Sequence, residues 1–230
     1  MSRNKLDLER IVFIGRTFEE YLRMFDLQRE ELMGRSILDC PAGACSFTAG
    51  ANKLGAASVA ADIAYDYSAE VLRDKGLRDI DHTVQQLSKV KDSFVWEEFA
   101  SVQELQQART SALTISTLDR QQFGERYVPV ELPMLPFADQ TFDLTLSAHF
   151  LFMYGDRLDY DFHLRTIEEL MRVTKSEIRI FPLVDLSCQR YKELERLLCA
   201  VKDQGWTAEE RLVPYEFQRG ADSMLRLLRA

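Results

Sequence analysis

The chain has 230 residues, of which 46% are hydrophobic and 29% charged, and its formal net charge is −8. This length and apolar content suffice for one substantial core in a single domain, 1–230. The negative charge argues against a protein that holds nucleic-acid backbones without sequence preference.

No apolar run approaches the roughly 18 residues that a membrane helix needs, and the N-terminus lacks the apolar segment of an export signal. We therefore expect a cytoplasmic protein with no membrane partner. The four cysteines show no close metal-ligand spacing, so we predict free thiols and no metal site; a disulfide is the alternative.

Residues 1–35 are predicted to form an N-terminal helical cap. Thr17 and Glu20 have the spacing of a capping box, and Phe18, Tyr21, Leu22 and Phe25 follow on one helix face. Arg16 and Tyr21 could reach a ligand carboxylate from this segment. The alternative is an ordinary amphipathic helix with a solvated arginine.

Residues 36–62 read as strand, turn, helix and strand. The first strand ends at Asp39, and a turn of small residues around Gly43 precedes a helix, so backbone amides there can approach a ligand closely. The second strand ends at Asp62, 19 residues beyond Gly43. A nucleotide-binding βαβ unit has an acid at about this distance, where the second strand meets the ribose hydroxyls.

Residues 66–126 are too many for a structureless loop, and their pattern predicts an inserted helical subdomain between the second and third strands. Apolar residues at helical spacing indicate a first helix around Ile80 to Val90, and Ser101 begins a second that runs to about Phe123. Phe94, Trp96 and Phe99 are predicted to pack between these helices.

The remaining chain alternates strands and helices. Pro129 interrupts a short strand, 127–131, which is expected near a sheet edge. The other predicted strands are 144–147, 177–181 and a hairpin of 211–217 with 223–228, and the predicted helices are 159–174 and 191–201. Such alternation predicts a three-layer α/β sandwich.

Several of these residues together resemble the class I S-adenosylmethionine-dependent methyltransferases. Residues 38–45 read Leu-Asp-Cys-Pro-Ala-Gly-Ala-Cys, residues 135–143 read Leu-Pro-Phe-Ala-Asp-Gln-Thr-Phe-Asp, and Asp62 and Glu131 follow their strands. The resemblance runs from about residue 35 to 186 without the insertion. It implies a three-layer αβα sandwich with a Rossmann-like, mostly parallel seven-stranded sheet and an antiparallel final strand, plus the helical insertion.

The resemblance also implies a site for S-adenosylmethionine. Asp39 would anchor the turn and face the methionine end, Asp62 would accept from the ribose hydroxyls, and Glu131 from the adenine amino group. The other implied cofactor contacts are the backbone of Ala42, Gly43 and Ala44, the side chain of Ile63 against adenine, the Leu132 amide, and Ser147 and Ala148 near the sulfonium. Pro41 and Cys45 replace the first and third glycines that the family usually has in its turn.

The function implied is methyl transfer from the sulfonium to an acceptor, most simply a small molecule. His149 follows the fourth strand beside the implied methyl-transfer point, and imidazole titrates near neutrality, so it is a candidate base; a packed structural histidine is the alternative. Other readings are a protein or RNA methyltransferase, a cofactor-binding module without transferase activity, or a dinucleotide-dependent oxidoreductase. The acceptor and the oligomeric state stay open.

Overall fold

The computed structural model describes residues 12–87, 92 and 94–230. Its strands are β1 (Ser36–Asp39), β2 (Ala57–Asp62), β3 (Tyr127–Pro129), β4 (Phe142–Ala148), β5 (Thr174–Phe181), β6 (Trp206–Leu212) and β7 (Ser223–Arg229). Its α-helices are α1 (Phe18–Met24), α2 (Arg29–Leu32), α3 (Phe47–Lys53), α4 (Ala69–Leu87), α5 (Val102–Gln122), α6 (Tyr160–Val173) and α7 (Leu194–Asp203). Two 3₁₀ turns, Ile63–Asp66 and Gly124–Arg126, follow β2 and α5.

The seven strands form one sheet in the order β3-β2-β1-β4-β5-β7-β6. β1 to β5 pair in parallel, and β7 is antiparallel to both of its neighbours, β5 and β6. This confirms the predicted mostly parallel, seven-stranded sheet with an antiparallel final strand. β3 lies at the sheet edge, as its proline predicts.

Alternate residues of the central strands face separate cores on the two sides of the sheet, which gives three layers. Ile37 packs with α1 and α3 on one face, whereas Leu38 packs with α6 and α7 on the other. Met224 and Leu225 of β7 divide in the same way. Each fully buried side chain of this size stabilises the fold by about 1.5–3 kcal/mol.

A buried arginine fixes α1 over the sheet. Arg179 of β5 is 3% exposed, and its Nη1 donates to the carbonyl oxygens of Phe25 and Asp26, just beyond α1. Glu177 binds Arg179 Nε at 2.7 Å, and this charge compensation outweighs the effect of burial and lowers the pKa of Glu177. The position of α1 matters because α1 carries Glu20 and Tyr21 towards the strand ends.

The helical insertion is confirmed as the antiparallel pair α4 and α5. Gly76 allows the two helices to approach closely, because a Cβ there would lie 2.7 Å from Leu113 Cδ1. Ser101 caps α5 through a bond from the Glu104 amide, as predicted. Leu118, near the end of α5, is 59% exposed. Val90 lies outside the described residues.

Two predicted segments differ from the structure. Residues 12–17 have no regular secondary structure, and the described part of the cap is helical only in α1 and α2. β6 begins at Trp206, whereas residues 213–217 are outside any strand. The apolar alternation did not locate β6 because β6 is an edge strand with few apolar residues. Phe217 instead packs against Phe94, Trp96 and Phe99, so these rings are not held by the insertion alone.

Candidate functional site

The glycine turn and the acid after β2 meet directly. Gly43 has φ +55°, which a glycine adopts without strain, and its backbone amide donates to Asp62 Oδ2 at 2.9 Å. The Ala64 amide donates to Asp62 Oδ1 at 2.8 Å. Burial raises the pKa of Asp62, although both amides oppose that shift. A carboxylate can accept about four hydrogen bonds, so this side chain, which is half-buried, keeps acceptor capacity for a ligand.

Asp39 lies at the end of β1 and is fully buried. The Tyr21 hydroxyl donates to Asp39 Oδ1 at 3.0 Å, while Oδ2 has no hydrogen-bond partner. Burial raises the pKa of Asp39 well above its usual value, the Tyr21 bond opposes this, and the nearby Asp62 charge adds to it. Tyr21 is thus committed to Asp39, so it is not placed to receive a ligand carboxylate as the sequence suggested.

The predicted adenine side of the site is open. Ile63 is 60% exposed directly after Asp62. Glu131 is exposed and Leu132 half-buried, two and three residues beyond Pro129, which is paired with Asp62 in the sheet. These residues share the carboxyl edge of β2 and β3, so the structure brings together this part of the predicted site.

The predicted methionine side is closed. Ala42, Ala44, Ser147 and Ala148 are all less than 10% exposed, and Ser147 Oγ is buried without a hydrogen-bond partner. Asp39 ends β1, and Ser147 is the second-last residue of the adjacent strand β4, at the point where the strand order reverses. Open α/β sheets place their ligands at this position.

Segment 12–16 covers the turn, where the sequence predicted a helical cap rather than a segment without regular secondary structure. A Cβ at Gly15 would lie 1.9 Å from the carbonyl oxygen of Ala44, so only glycine fits there. The Ser46 amide donates to the Arg16 carbonyl oxygen at 3.0 Å, and the Arg16 amide donates to Cys45 Sγ at 3.2 Å. The segment therefore lies directly against residues 44–46.

A cavity of about 110 Å³ lies beside this segment, at the carboxyl ends of β4 and β5. The insertion supplies part of its wall through Ile80, Val84, Leu87 and Leu105, and Phe217 closes it from the β6–β7 connection. Its polar lining includes Arg16, Arg109 and His149. The enclosed volume far exceeds the roughly 10–15 Å³ needed for one water molecule.

A buried ion pair stands at this cavity. Arg109 Nη1 donates to Glu20 Oε2 at 2.6 Å, and the Tyr215 hydroxyl donates to Glu20 Oε1 at 2.8 Å. Burial alone would raise the pKa of Glu20, but the charge and hydrogen bond of Arg109 lower it to about 2. Glu20 also closes the predicted capping box by accepting from the Thr17 amide.

His149 lines the same cavity directly after β4. Its backbone has φ +53°, its amide donates to the Phe181 carbonyl oxygen at 2.7 Å, and its ring centroid lies 5.4 Å from that of Phe181. The ring Nδ1 is buried without a hydrogen-bond partner. Burial, together with the charges of Arg16 and Arg109, lowers the pKa of His149 well below 6.5, so the imidazole is neutral at pH 7.

Sequence reasoning missed Arg109, Glu20 and Tyr215 as parts of a site. One signal was present: Arg109 interrupts the apolar face of α5 between Leu105 and Ala112. Nothing local marks Tyr215, which reaches Glu20 across 195 positions of the chain.

Three further observations concern metal ions, disulfide bonds and membrane-spanning helices. Among the described residues no group of three His, Cys, Asp or Glu side chains is arranged to hold a metal ion. The four cysteines are free. Within that same part of the chain, no helix has both the length and the apolar character needed to cross a membrane.

The strand order, the antiparallel β7 and the acidic ends of β1 and β2 define the fold of the class I S-adenosylmethionine-dependent methyltransferases. The chain belongs to the same family as the uncharacterized protein MJ0045 of Methanocaldococcus jannaschii. The two are 34% identical over 225 residues, which cover 97% of this chain and 99% of the relative. No family model matches the chain.

Solved structures that resemble the chain include three methyltransferases. A didemethyltoxoflavin N1-methyltransferase of Burkholderia thailandensis, solved with its namesake ligand and S-adenosylhomocysteine, has a TM-score of 0.49 and 13% identity, covering 90% of this chain and 76% of that one. A methyltransferase of Aquifex aeolicus has a TM-score of 0.46 and 15% identity, and the match covers 92% of this chain and 93% of that one. The magnesium protoporphyrin IX methyltransferase of Synechocystis PCC 6803, solved with bound S-adenosylmethionine, has a TM-score of 0.44 and 11% identity. The match covers 87% of this chain and 73% of that one. Similarity at this level does not determine what this chain catalyses.

Proposed function

We propose that this chain is an S-adenosylmethionine-dependent methyltransferase acting on a small molecule. The observation that carries the proposal is the pair of buried oxygens without partners, Asp39 Oδ2 and Ser147 Oγ, at the point where the strand order reverses. Buried polar groups without partners are rare in folded proteins and call for an explanation. A ligand with polar and cationic groups provides one.

The residues present fit this cofactor. Asp39 would face its ammonium group, Asp62 would accept from the ribose hydroxyls, and Ile63 would lie against the adenine. Gly43 leaves room for close approach, because a Cβ built there meets no atom nearer than Asp62 Oδ2 at 4.0 Å. The cofactor supplies a methyl group that its sulfonium already activates.

The chain supplies position and a proton acceptor. Holding an acceptor in line with the donor accounts for much of the rate in such reactions. His149 is neutral and has a free Nδ1 in a cavity beside the end of β4, so this atom would take the proton of a hydroxyl or ammonium acceptor. A cavity of about 110 Å³ favours a small acceptor over a protein or RNA.

Calorimetry with S-adenosylhomocysteine tests the proposal. We expect binding by the intact protein and at least tenfold weaker binding by Asp62→Ala, because hydrogen bonds to charged groups contribute about 1.5–3 kcal/mol each. Asp66→Ala, which removes an exposed carboxylate from the same turn, is the matched control and should bind as the wild type does. Tight NAD binding without a response to S-adenosylhomocysteine would overturn the assignment.

One observation favours a second candidate function, in which the chain has the fold of a methyltransferase but no transferase activity. Segment 12–16 packs against the turn where the methionine part would lie. If this closure is permanent, neither S-adenosylmethionine nor its product binds, and the wild-type calorimetric titration decides between the two candidates.

A further inference from the structure

Positive charge is buried at the cavity without full compensation. Arg109 is 5% exposed, and its Nη2 has no hydrogen-bond partner even though Nη1 holds Glu20. Arg16 Nε is also buried without a partner. Two guanidinium groups therefore share one carboxylate, and unpaired buried charge is costly to a fold.

Other acids near this cluster are already engaged. Glu98 pairs with Arg23 at 2.6 Å. Asp79 pairs with Lys75 and also accepts from the Phe13 amide. His149 carries no charge at neutral pH. The cluster at the cavity thus keeps a net charge of about one positive unit, together with unused N–H donors from two elements.

Around this charge the cavity is apolar. Side chains from α4, α5, the ends of β4 and β5 and the β6–β7 connection form its walls. They include Ile80, Val84, Leu87, Phe94, Leu105, Met153, Phe181, Leu186 and Phe217. A ligand that satisfies both the walls and the charge has an apolar body and an anionic end.

We propose that the cavity binds a small molecule with an apolar body and one carboxylate, which Arg16 and Arg109 hold by their free N–H groups. Arginine suits carboxylates because its N–H groups match their geometry. A single negative charge fits because one positive charge is uncompensated. That this acid is the methyl acceptor rests on the proposed function, since His149 Nδ1 lies in the same cavity.

The test compares 4-phenylbutyrate with its neutral amide by calorimetry, with and without S-adenosylhomocysteine. We expect the carboxylate to bind at least tenfold more tightly than the amide. Arg16→Gln should remove most of this preference, because a hydrogen bond to a charged group is lost. Arg165→Gln removes the same charge from an exposed position on α6 and should leave the preference intact.

A second variant guards against misfolding. Arg109→Gln alone leaves Glu20 buried and unpaired, so the double variant Glu20→Gln with Arg109→Gln is used, and a thermal melt checks that it folds. It should also lose the preference for the carboxylate. Equal binding of acid and amide, or binding of neither, would overturn the inference. Inorganic phosphate that displaces 4-phenylbutyrate completely would also overturn it, because the apolar walls would then be irrelevant.

The titrations with S-adenosylhomocysteine distinguish this inference from the proposed function. If S-adenosylhomocysteine binds but the acid does not, this inference fails and the proposed function stands. If the acid binds and S-adenosylhomocysteine does not, the cavity is an acid-binding site and the proposed function fails. If Arg16→Gln weakens S-adenosylhomocysteine itself and the two ligands compete, the arginines hold the cofactor, and the inference is wrong.

Discussion

Two histidines differ in how their ring nitrogens are used. His163 has Nδ1 at 2.6 Å from the Asp159 carbonyl oxygen and Nε2 at 3.0 Å from that of Leu151, and its ring stacks on Tyr191. Both nitrogens are committed to the fold. His149 has a buried Nδ1 without a partner and lines a cavity. The contrast favours a chemical role for His149 over the packed-histidine alternative.

His149→Gln should lower turnover by roughly 10²–10⁴-fold, the usual contribution of a positioned base. S-adenosylhomocysteine affinity should barely change, because the ribose and adenine contacts lie elsewhere. The measurement is transfer of labelled methyl from S-adenosylmethionine into the small-molecule fraction of a cell extract, per folded molecule.

His163→Gln is the matched control for this experiment. It removes a buried ring that is held by backbone carbonyl oxygens and by stacking on Tyr191, so it should lower the melting temperature while leaving turnover per folded molecule unchanged. If His149→Gln behaves in the same way as this control, His149 has no part in the reaction and positioning alone carries the catalysis.

At the level of elements, segment 12–16 was the part of the site least visible in the sequence. Its contacts with residues 44–46 involve backbone groups and the Cys45 thiol, and apolar periodicity carries no record of such contacts. The strands and helices with strong apolar patterns, among them β4, β5 and α6, were predicted within a few residues. Asp159 caps α6 by accepting from the Phe162 amide.

Gly15→Ala tests how tightly this segment is seated. The added Cβ would collide with the Ala44 carbonyl oxygen, so we expect a loss of stability of about 1–3 kcal/mol, as for other overpacked sites. Gly124→Ala is the control, since a Cβ there meets nothing within 4 Å. Denaturant melts give both values.

The same variants should differ in thiol reactivity. Cys45 is 9% exposed under segment 12–16, and burial raises the pKa of its thiol to about 12, which suppresses alkylation. Gly15→Ala should speed iodoacetamide labelling of Cys45 and leave the exposed Cys199 unchanged. Unaltered stability and labelling would show that the segment does not rest on the turn.

At the scale of the whole molecule, the cavity depends on contacts between distant parts of the chain. Arg109 and Tyr215 meet Glu20 across 89 and 195 positions. Asp39, Gly43 and Asp62, which are proposed to hold the cofactor, could be named from the sequence because strand ends and a glycine turn have local signals. Arg109 and Tyr215 could not, since only the complete fold decides which distant side chains surround a cavity.

The pH dependence of unfolding should reveal two carboxylates whose pKa values are shifted by folding in opposite directions. Burial raises the pKa of Asp39, so the folded protein holds that proton more tightly than the unfolded chain does. The resulting stabilisation is complete below the unfolded pKa of about 3.9 and is lost as the pH rises through the folded pKa. Relative to wild type, Asp39→Asn should therefore become steadily more stable as the pH increases above about 4.

Asp143 is the matched comparison at the opposite end of the sheet. Burial would raise its pKa, but the amide and hydroxyl of Ser36, with Lys175, lower it to about 2. The ionised Asp143 stabilises the fold above about pH 4, and this contribution is lost as the pH falls through about 2. Asp143→Asn should therefore be less stable to unfolding than wild type at neutral pH and equally stable in acid. Urea melts of the three proteins from pH 2 to 8 provide the curves. A flat difference between wild type and Asp39→Asn would mean that folding leaves the pKa of Asp39 unshifted, which contradicts the rise that burial causes.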